Sequence, residues 1–536
     1  MSITSFQFIL FVFVSVTIYR IIPAKLQWVV LLIASVIFYI SFSVVGIFVL
    51  IATALITYYF AIQIQNQKDM LSSWMTAHKA LVTKEERKEK KEYYGKKQRF
   101  YLILAIVINV FILFLCKYYG KLSINLNHTF HVNIWTAENI ILPLGISYYS
   151  LQLIGYITDV QRDVIQAERN PLKVILYGVF FLSIMQGPFN RYETLMPQIC
   201  RDEKSKLDFV TAKKAILRIL WGYVKKKCIA DQVGILVNEV FSNYRNYSGS
   251  AIILATFCFA IQLYADFAGY MDIMAGIGQL FGIEIPENFH QPFFSRNISE
   301  FWQKWHISLG AWLKDYVFYP VLKSHVFKDF GKWLTQMVSK EAGRNIPTYV
   351  GMLILWTLIG IWHGAGITYV FSVGLLQFFY IFMGKITAPV SAKVKAALKI
   401  NEDSLGWHVF QSCRVTVLMM FAWIFFNSPS MKDAFGFIGR IFCGEINVSQ
   451  VTQIFTEGSA LAGISGAIFM FYILLCAVIL VCVDLIHEKG VSIRDSAISR
   501  GYIAECVLFF TLIFALIVFG AYGSQYNPSN FIYFEF

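Results

Sequence analysis

The chain has 536 residues, of which 57% are hydrophobic and 15% charged, against about 25% charged in an ordinary soluble domain. This composition excludes a soluble globular enzyme and places the protein among polytopic all-α integral membrane proteins. The formal net charge of +13 would suit nucleic acid, but the basic residues fall in short segments between apolar runs. Glu85, Glu86, Glu89 and Glu92 also interrupt the longest basic stretch, so no nucleic acid is expected.

Apolar runs near the ~20 residues needed to cross a bilayer recur at 5–22, 27–42, 45–63, 100–116, 139–158, 172–186, 250–274, 350–383, 409–427, 466–486 and 502–523. They predict about ten to twelve transmembrane and re-entrant helices. The first run has no small-residue cleavage site after it and leads straight into further spans, so it reads as a retained helix. Arg20 and Lys25 follow that run, and the polar loop 64–99 carries Lys84, Arg87, Lys88, Lys90, Lys91, Lys96, Lys97 and Arg99. Basic loops stay in the cytoplasm. Two spans separate these segments, so they share the inner face and the N-terminus lies outside. The same rule puts 321–346, 385–399 and 489–500 inside. The C-terminal spans, 409–523, then deliver an aromatic tail, 524–536, to the outside.

In chain order, Pro143 and Gly145 begin an interrupted span in 143–149, as expected of a cavity wall. Residues 262–272 set Asp266 and Asp272 in an apolar helix, where charges need partners. One reading has both tie helices together, with Arg296 as one partner; the other gives them a direct chemical role. Gly276, Gly278 and Gly282 do not form the dinucleotide fingerprint, since no strand precedes them and the last glycine is displaced. They read as sites of close helix approach. Over 301–316 a helical period puts Trp302, His306, Leu309 and Leu313 on one face and Trp305, Leu309, Trp312 and Tyr316 on the next, as in an amphipathic helix at the inner membrane interface.

His363 sits in Leu-Ile-Gly-Ile-Trp-His-Gly-Ala-Gly (358–366), an ionisable group in a membrane-grade run. Counting ~1.5 Å per residue from Val350, it lies about 20 Å along its helix, inside a hydrocarbon core ~30 Å thick. A Gly-Ala-Gly turn at that depth needs protein or a wet cavity around it. Two readings remain open: a reactive imidazole in a pocket reached from outside, or a buried histidine that holds the hairpin. The nine cysteines lie mostly in or beside apolar runs without CxxC spacing and read as packed thiols. No HExxH, P-loop, nucleophile elbow or acidic metal cluster is present, so no metal is expected.

Tyr-Ala-Asp-Phe-Ala-Gly-Tyr-Met-Asp (264–272), Pro-Glu-Asn-Phe (286–289), Glu-Phe-Trp-Gln-Lys-Trp-His-Ile-Ser-Leu-Gly-Ala-Trp-Leu-Lys-Asp-Tyr (300–316) and Trp-His-Gly-Ala (362–365) occur in that order. This set resembles the bacterial membrane-bound O-acyltransferases, in the branch of the alginate O-acetyltransferases, with the teichoic-acid D-alanyl transfer protein as a relative. The resemblance is strong over a core of about 139–385 and implies a helical bundle around a transmembrane tunnel. It matches His306 and His363 to the two motif histidines.

The resemblance further implies transfer of an acyl group, acetyl in the first instance, from a cytoplasmic thioester to an extracellular polysaccharide. The donor, acetyl-coenzyme A or an acyl carrier protein, is a substrate, and no bound cofactor is implied. An extracytoplasmic or membrane-tethered partner would carry the group onward, from the cytoplasmic membrane of a bacterium. A neutral imidazole can take the proton of an attacking hydroxyl, and His363 receives that role. His306 would position donor or acceptor, assisted by Asp315, and Trp305, Trp362 and Asp266 join the substrate-binding set. Tyr533, in the terminal Phe-Ile-Tyr-Phe-Glu-Phe, supplies either an acyl relay or a membrane anchor. The basic loop 64–99 could attract an acidic carrier or simply fix topology. D-alanylation of teichoic acid is the rival within the class. A secondary transporter with a His363–Asp266 proton relay, or a non-catalytic export scaffold, are the rivals outside it.

Overall fold

A computed structural model describes residues 1–78, 82–130, 142–444, 447, 451 and 465–522. Among these residues the backbone is helical, without strands beyond one antiparallel bridge between Phe289 and Trp305. The chain divides into two compact units, one of residues 1–212 with 277–286, the other of residues 213–276 with 287–536.

The first unit holds helices α1 (Phe6–Ile21), α2 (Ala24–Ile40), α3 (Val44–Ala77), α4 (Lys84–Lys117), α5 (Tyr119–Phe130), α6 (Ile146–Gln161), α7 (Pro171–Val179) and α8 (Tyr192–Ile199). Both α3 and α4 run 34 residues, about 51 Å at 1.5 Å per residue. The polar segment 64–99, expected as a loop, is therefore mostly helical extension of two spans. A Thr83–Glu86 capping box starts α4, and Glu92 and Lys96 pair one turn apart at 2.8 Å, which gives the charged stretch its own helical support. Within the apolar part, the buried Asn109 amide donates to Thr57 Oγ1 at 3.2 Å and to the Ala105 carbonyl at 2.8 Å, a polar tie between two spans.

Two expected spans are shorter than their hydropathy. Residues 172–186 stay helical only to Val179, after which Phe180, Phe181 and Leu182 turn while fully buried. Phe181 meets Phe11 and Phe38 edge-on or tilted, with centroids 5.6 and 6.0 Å away. Irregular backbone is tolerated there because protein surrounds it. The break before α6 is real: Gly145 has φ +66°, and a Cβ would lie 1.9 Å from the Ile184 carbonyl, so only glycine fits. Arg20 does more than mark topology, since its guanidinium donates to the carbonyls of Leu280 and, at 2.7 Å, Ser205.

The second unit takes in α9 (Phe209–Tyr223) from Lys213 onward, a π-helical turn (Val224–Ala230), α10 (Asp231–Ser242) and α11 (Gly249–Phe281) up to Gly276. It continues with α12 (Ile298–Lys304), α13 (Ile307–Leu313), α14 (Tyr319–Lys323), α15 (His325–Met337), α16 (Lys340–His363) and α17 (Ile367–Ile386). It ends with α18 (Ala388–Ala397), α19 (Leu405–Asn427), α20 (Met431–Cys443), α21 (Gly466–Glu488), α22 (Ile493–Ser499) and α23 (Tyr502–Phe519). Among the described residues eight helices are long and apolar enough to cross a membrane: α3, α4, α11, α16, α17, α19, α21 and α23, with α1 and α2 as shorter apolar helices. The protein is a polytopic all-α membrane protein.

Candidate active site

The second unit owes its polar interior to one glycine crossing. A Cβ on Gly222 would stand 2.7 Å from the Gly269 carbonyl, and one on Gly269 would stand 2.8 Å from the Gly222 carbonyl. Paired glycines let α9 and α11 touch backbone to backbone. That approach brings the basic end of α9 against the carboxylates of α11. Lys226, 2% exposed, holds Asp266 at 2.5 Å and Asp231 at 2.9 Å. Lys225 and Arg218 hold Asp272 at 2.5 and 2.9 Å, and Arg218 also reaches Glu287 at 2.6 Å. Asp266 and Asp272 thus tie helices together. Arg296, the partner expected from sequence, is not the one that meets them; the partners come from α9 and the turn after it.

The helix expected over 301–316 is broken at its centre. α12 ends at Lys304, Trp305 is extended, and His306 has φ 48° and ψ 50° before α13 begins at Ile307. A left-handed histidine costs ~1–2 kcal/mol and persists only if its surroundings impose it. Asn288 imposes it. Fully buried, its carbonyl accepts from Ile307 N at 3.2 Å and its side-chain oxygen from Ser308 N at 2.9 Å, capping α13 from outside the helix. The His290 amide donates to the Lys304 carbonyl at 3.0 Å on the other side of the break.

Asn288 is the residue the sequence reading missed, although it stands in the Pro-Glu-Asn-Phe motif. Asn288→Ala leaves the Ile307 bond to the main-chain carbonyl but strands the buried Ser308 N–H, and is expected to cost ~1–3 kcal/mol. The alanine variant should lose thermal stability in detergent, and Asn288→Asp, which keeps the acceptor oxygen, should recover most of it. Equal loss in both variants would remove the positioning role.

α12 fixes the break against the hairpin of α16 and α17. Trp302 packs on Trp356 with centroids 5.1 Å apart, and its indole N–H donates to Gln377 Oε1 at 3.1 Å. The hairpin is tight because a Cβ on Gly360 would meet Val370 Cα at 2.6 Å. α16 ends at His363, and Gly364 admits the Tyr369 ring to within 2.4 Å of where a Cβ would be. The long apolar run 350–383 is thereby divided at 364–366, as its glycines predict.

The two histidines meet the same indole. Trp362 lies 4.9 Å from the His363 ring and 6.0 Å from the His306 ring, both edge-on. Phe426 closes the far side of His363 at 5.8 Å, and Phe267 packs on His306 at 4.9 Å. Both imidazoles are buried, at 5% and 2% exposure. Trp305 is also buried, stacked on Phe301 at 5.4 Å and edge-on to Phe289 at 5.0 Å. Asp315 is exposed on the π-helical turn that follows α13, and Tyr533 lies outside the described residues. Of the residues singled out from sequence, the structure therefore brings together His306, Trp362 and His363, with Trp305 in the adjoining aromatic wall. Beyond Phe289, a cavity of about 520 Å³ is bordered by Arg218, Lys225, Tyr264, Asp272 and Arg494.

Residues 160–339 match the model of the membrane-bound O-acyltransferase family. The chain carries a membrane-bound O-acyltransferase domain. The family match covers α11, Asn288 and His306 and stops before His363. The chain is 28% identical to the probable alginate O-acetylase AlgI of Pseudomonas syringae, over 68% of this chain and 64% of that one. It is 26% identical to the peptidoglycan O-acetyltransferase of Helicobacter pylori, over 63% of each. With the teichoic acid D-alanyltransferase of Bacillus subtilis it shares 30% identity over 50% of this chain and 63% of that one. The chain thus spans just under two thirds of the length of these relatives.

Burial pushes the His306 imidazole of this domain down to about 3, so the folded protein keeps it neutral, while the unfolded chain titrates it near ~6.5. Below that pH the unfolded state takes up a proton the folded state refuses, and stability falls by up to ~1.4 kcal/mol per pH unit. Melting curves in detergent from about pH 7.5 down to about pH 5 should show this loss. His306→Gln should flatten the slope, and a variant with the parental slope would contradict the assignment.

Proposed function

We propose that the protein is a membrane O-acyltransferase that moves an acyl group, acetyl first, from a cytoplasmic thioester to a hydroxyl destined for a cell-surface polysaccharide. The observation that carries this reading is the pair of buried imidazoles packed on Trp362, in a chain with a matching family domain. Relatives named for alginate and peptidoglycan O-acetylation supply the acyl group and the class of acceptor.

The chemistry follows from the residues. Neutral His363 accepts the proton of the acceptor hydroxyl as its oxygen attacks the thioester carbonyl. The C–S bond breaks, the thiolate leaves, and the imidazolium returns the proton to it. His306, kept neutral by burial, orients the reacting groups through hydrogen bonding rather than charge. No nucleophilic serine is required, because the acceptor brings the oxygen. With the basic segment 489–500 inside, the cavity that Arg494 borders together with Arg218 and Lys225 faces a donor arriving from the cytoplasm. The N-terminus then lies outside. A cytoplasmic acyl carrier and an extracytoplasmic acyltransferase partner complete the route in this reading.

The relative named for D-alanylation favours a second reading, transfer of D-alanine to teichoic acid. One experiment tests both. Surface polymer from cells with and without the protein is treated with mild base, and the released acids are identified by mass spectrometry. Loss of acetate in the deletion supports the first reading and loss of alanine the second. An unchanged ester profile would reject acyl transfer to the surface.

A further inference from the structure

Sequence pattern placed an amphipathic interface helix at 301–316, but Trp305 and Trp312 of that stretch are buried. The helix with the exposed amphipathic character is α15. A Cβ on Gly331 would stand 2.9 Å from the Gly343 carbonyl, and Thr335 crowds Gly343 as well, so α15 lies backbone to backbone against the first turns of α16. This contact stands upstream of the apolar run that begins at Val350, and the basic segment 321–346 reads as cytoplasmic. On that topology α15 sits at headgroup depth in the inner leaflet.

Three faces divide α15. Gly331 and the buried Leu334 turn to the protein, and Lys328 and Lys332 mark a polar face one turn apart. Between them Val326, Phe330, Trp333 and Met337 follow the i, i+4, i+7, i+11 spacing of one helical stripe. Val326, Trp333 and Met337 are each more than half exposed, and Phe330 stacks on Trp333 with centroids 6.1 Å apart and planes at 15°. The pattern returns after the other arm of the hairpin, in α18: Val390, Val394 and Leu398 recur every four residues, half or more exposed, beside Lys393. The α16–α17 hairpin that carries His363 thus stands on two lysine-edged apolar feet.

The charge on these feet is left open. Segment 321–346 holds five basic and two acidic residues, and 385–399 holds four lysines and no acid. Lys328, Lys340 and Lys393 form no ion pair among the described residues. By contrast Lys213, Lys214 and Lys304, in the same unit, are each held by a carboxylate at 2.7, 2.8 and 2.9 Å. An apolar stripe with a tryptophan and open lysines complements an acidic lipid surface, since the side chains enter the acyl boundary while the ammonium groups meet phosphate. A stable protein partner covers ~800 Å² on its side of the contact, more than the four partly exposed side chains of the stripe present.

We propose that acidic phospholipids of the inner leaflet bind α15 and α18 and hold the His363 hairpin, so that acyl transfer requires an anionic membrane surface. The dependence of transfer rests on the acyl-transfer reading of His363; the lipid binding does not. The test titrates the full-length protein in neutral detergent with phosphatidylglycerol or phosphatidylcholine and counts bound lipid by native mass spectrometry. Each lysine near an acidic surface contributes about fivefold in affinity, so the parent should prefer phosphatidylglycerol by about tenfold or more. The triple variant Lys328→Gln, Lys332→Gln, Lys393→Gln should lose that preference, and cells carrying it should lose about fivefold or more of their surface ester. The matching Lys→Arg triple, which keeps the charge, should retain both, and Lys340→Gln with Lys393→Gln serves if the first triple folds poorly. His363→Ala should bind lipid as the parent does while leaving no ester, which separates failure of this proposal from failure of the catalytic one. Equal binding of the two lipids by the parent, or a parental preference in the glutamine variants, would overturn the proposal. So would full esterification in a variant that has lost the preference, or glutamine variants that keep the lipid but no longer capture an acidic carrier protein.

Discussion

Cells carrying His363→Ala should make, insert and fold the protein, yet leave their surface polymer without its ester. A positioned general base contributes about 10²- to 10⁴-fold to rate, so ester content should drop to the level of the deletion strain. The fold should survive because the contacts at this position are made by rings around the imidazole. Without it Tyr369 still packs on Phe426 and against Gly364, and Trp362 still packs on His306. Protein yield and elution from a sizing column in detergent control for folding, and base-released acid measures function. His363→Gln, which keeps a hydrogen-bonding group and removes the base, should be as inactive as the alanine variant. Residual esterification above a few per cent in both would reject the base role.

Asp266→Ala is expected to do the opposite, removing the protein rather than the reaction. It leaves the Lys226 ammonium, 2% exposed, with Asp231 as its ion-pair partner. Breaking a buried pair by deleting one member costs ~3–5 kcal/mol, a large part of the ~5–15 kcal/mol that holds a domain together. Membrane yield and monodispersity should collapse. The double variant Lys226→Met with Asp266→Ala, which removes both charges, should recover much of the yield, since a buried pair is often replaceable by apolar residues. If Asp266→Ala is stable but inactive, the carboxylate belongs to the chemistry and the strut assignment is wrong.

Much of this architecture was legible in the sequence, and the exceptions have physical causes. Composition and apolar runs identified the class because a bilayer demands helices of a fixed length. The turn after His363 followed from glycines at a depth where a chain can reverse only against protein. The break at Trp305 and His306 was hidden because the apolar period runs through it unbroken. What stops the helix there is Asn288, placed by a turn far back in the chain, and periodicity carries no record of such a partner. The partners of Asp266 and Asp272 were hidden for a related reason. Three consecutive lysines at 225–227 look like surface charge until the Gly222–Gly269 contact draws them inward. In the segment 172–186, hydropathy reported burial correctly, but burial among aromatic rings rather than in lipid.

The indole of Trp362 touches both imidazoles at once, and that gives the spectroscopist an internal lamp. Its emission should respond to whatever enters between the rings. With the remaining tryptophans quieted by substitution or fluorinated analogues, arrival and departure of the acyl donor could be timed in a stopped-flow cell without any attached dye.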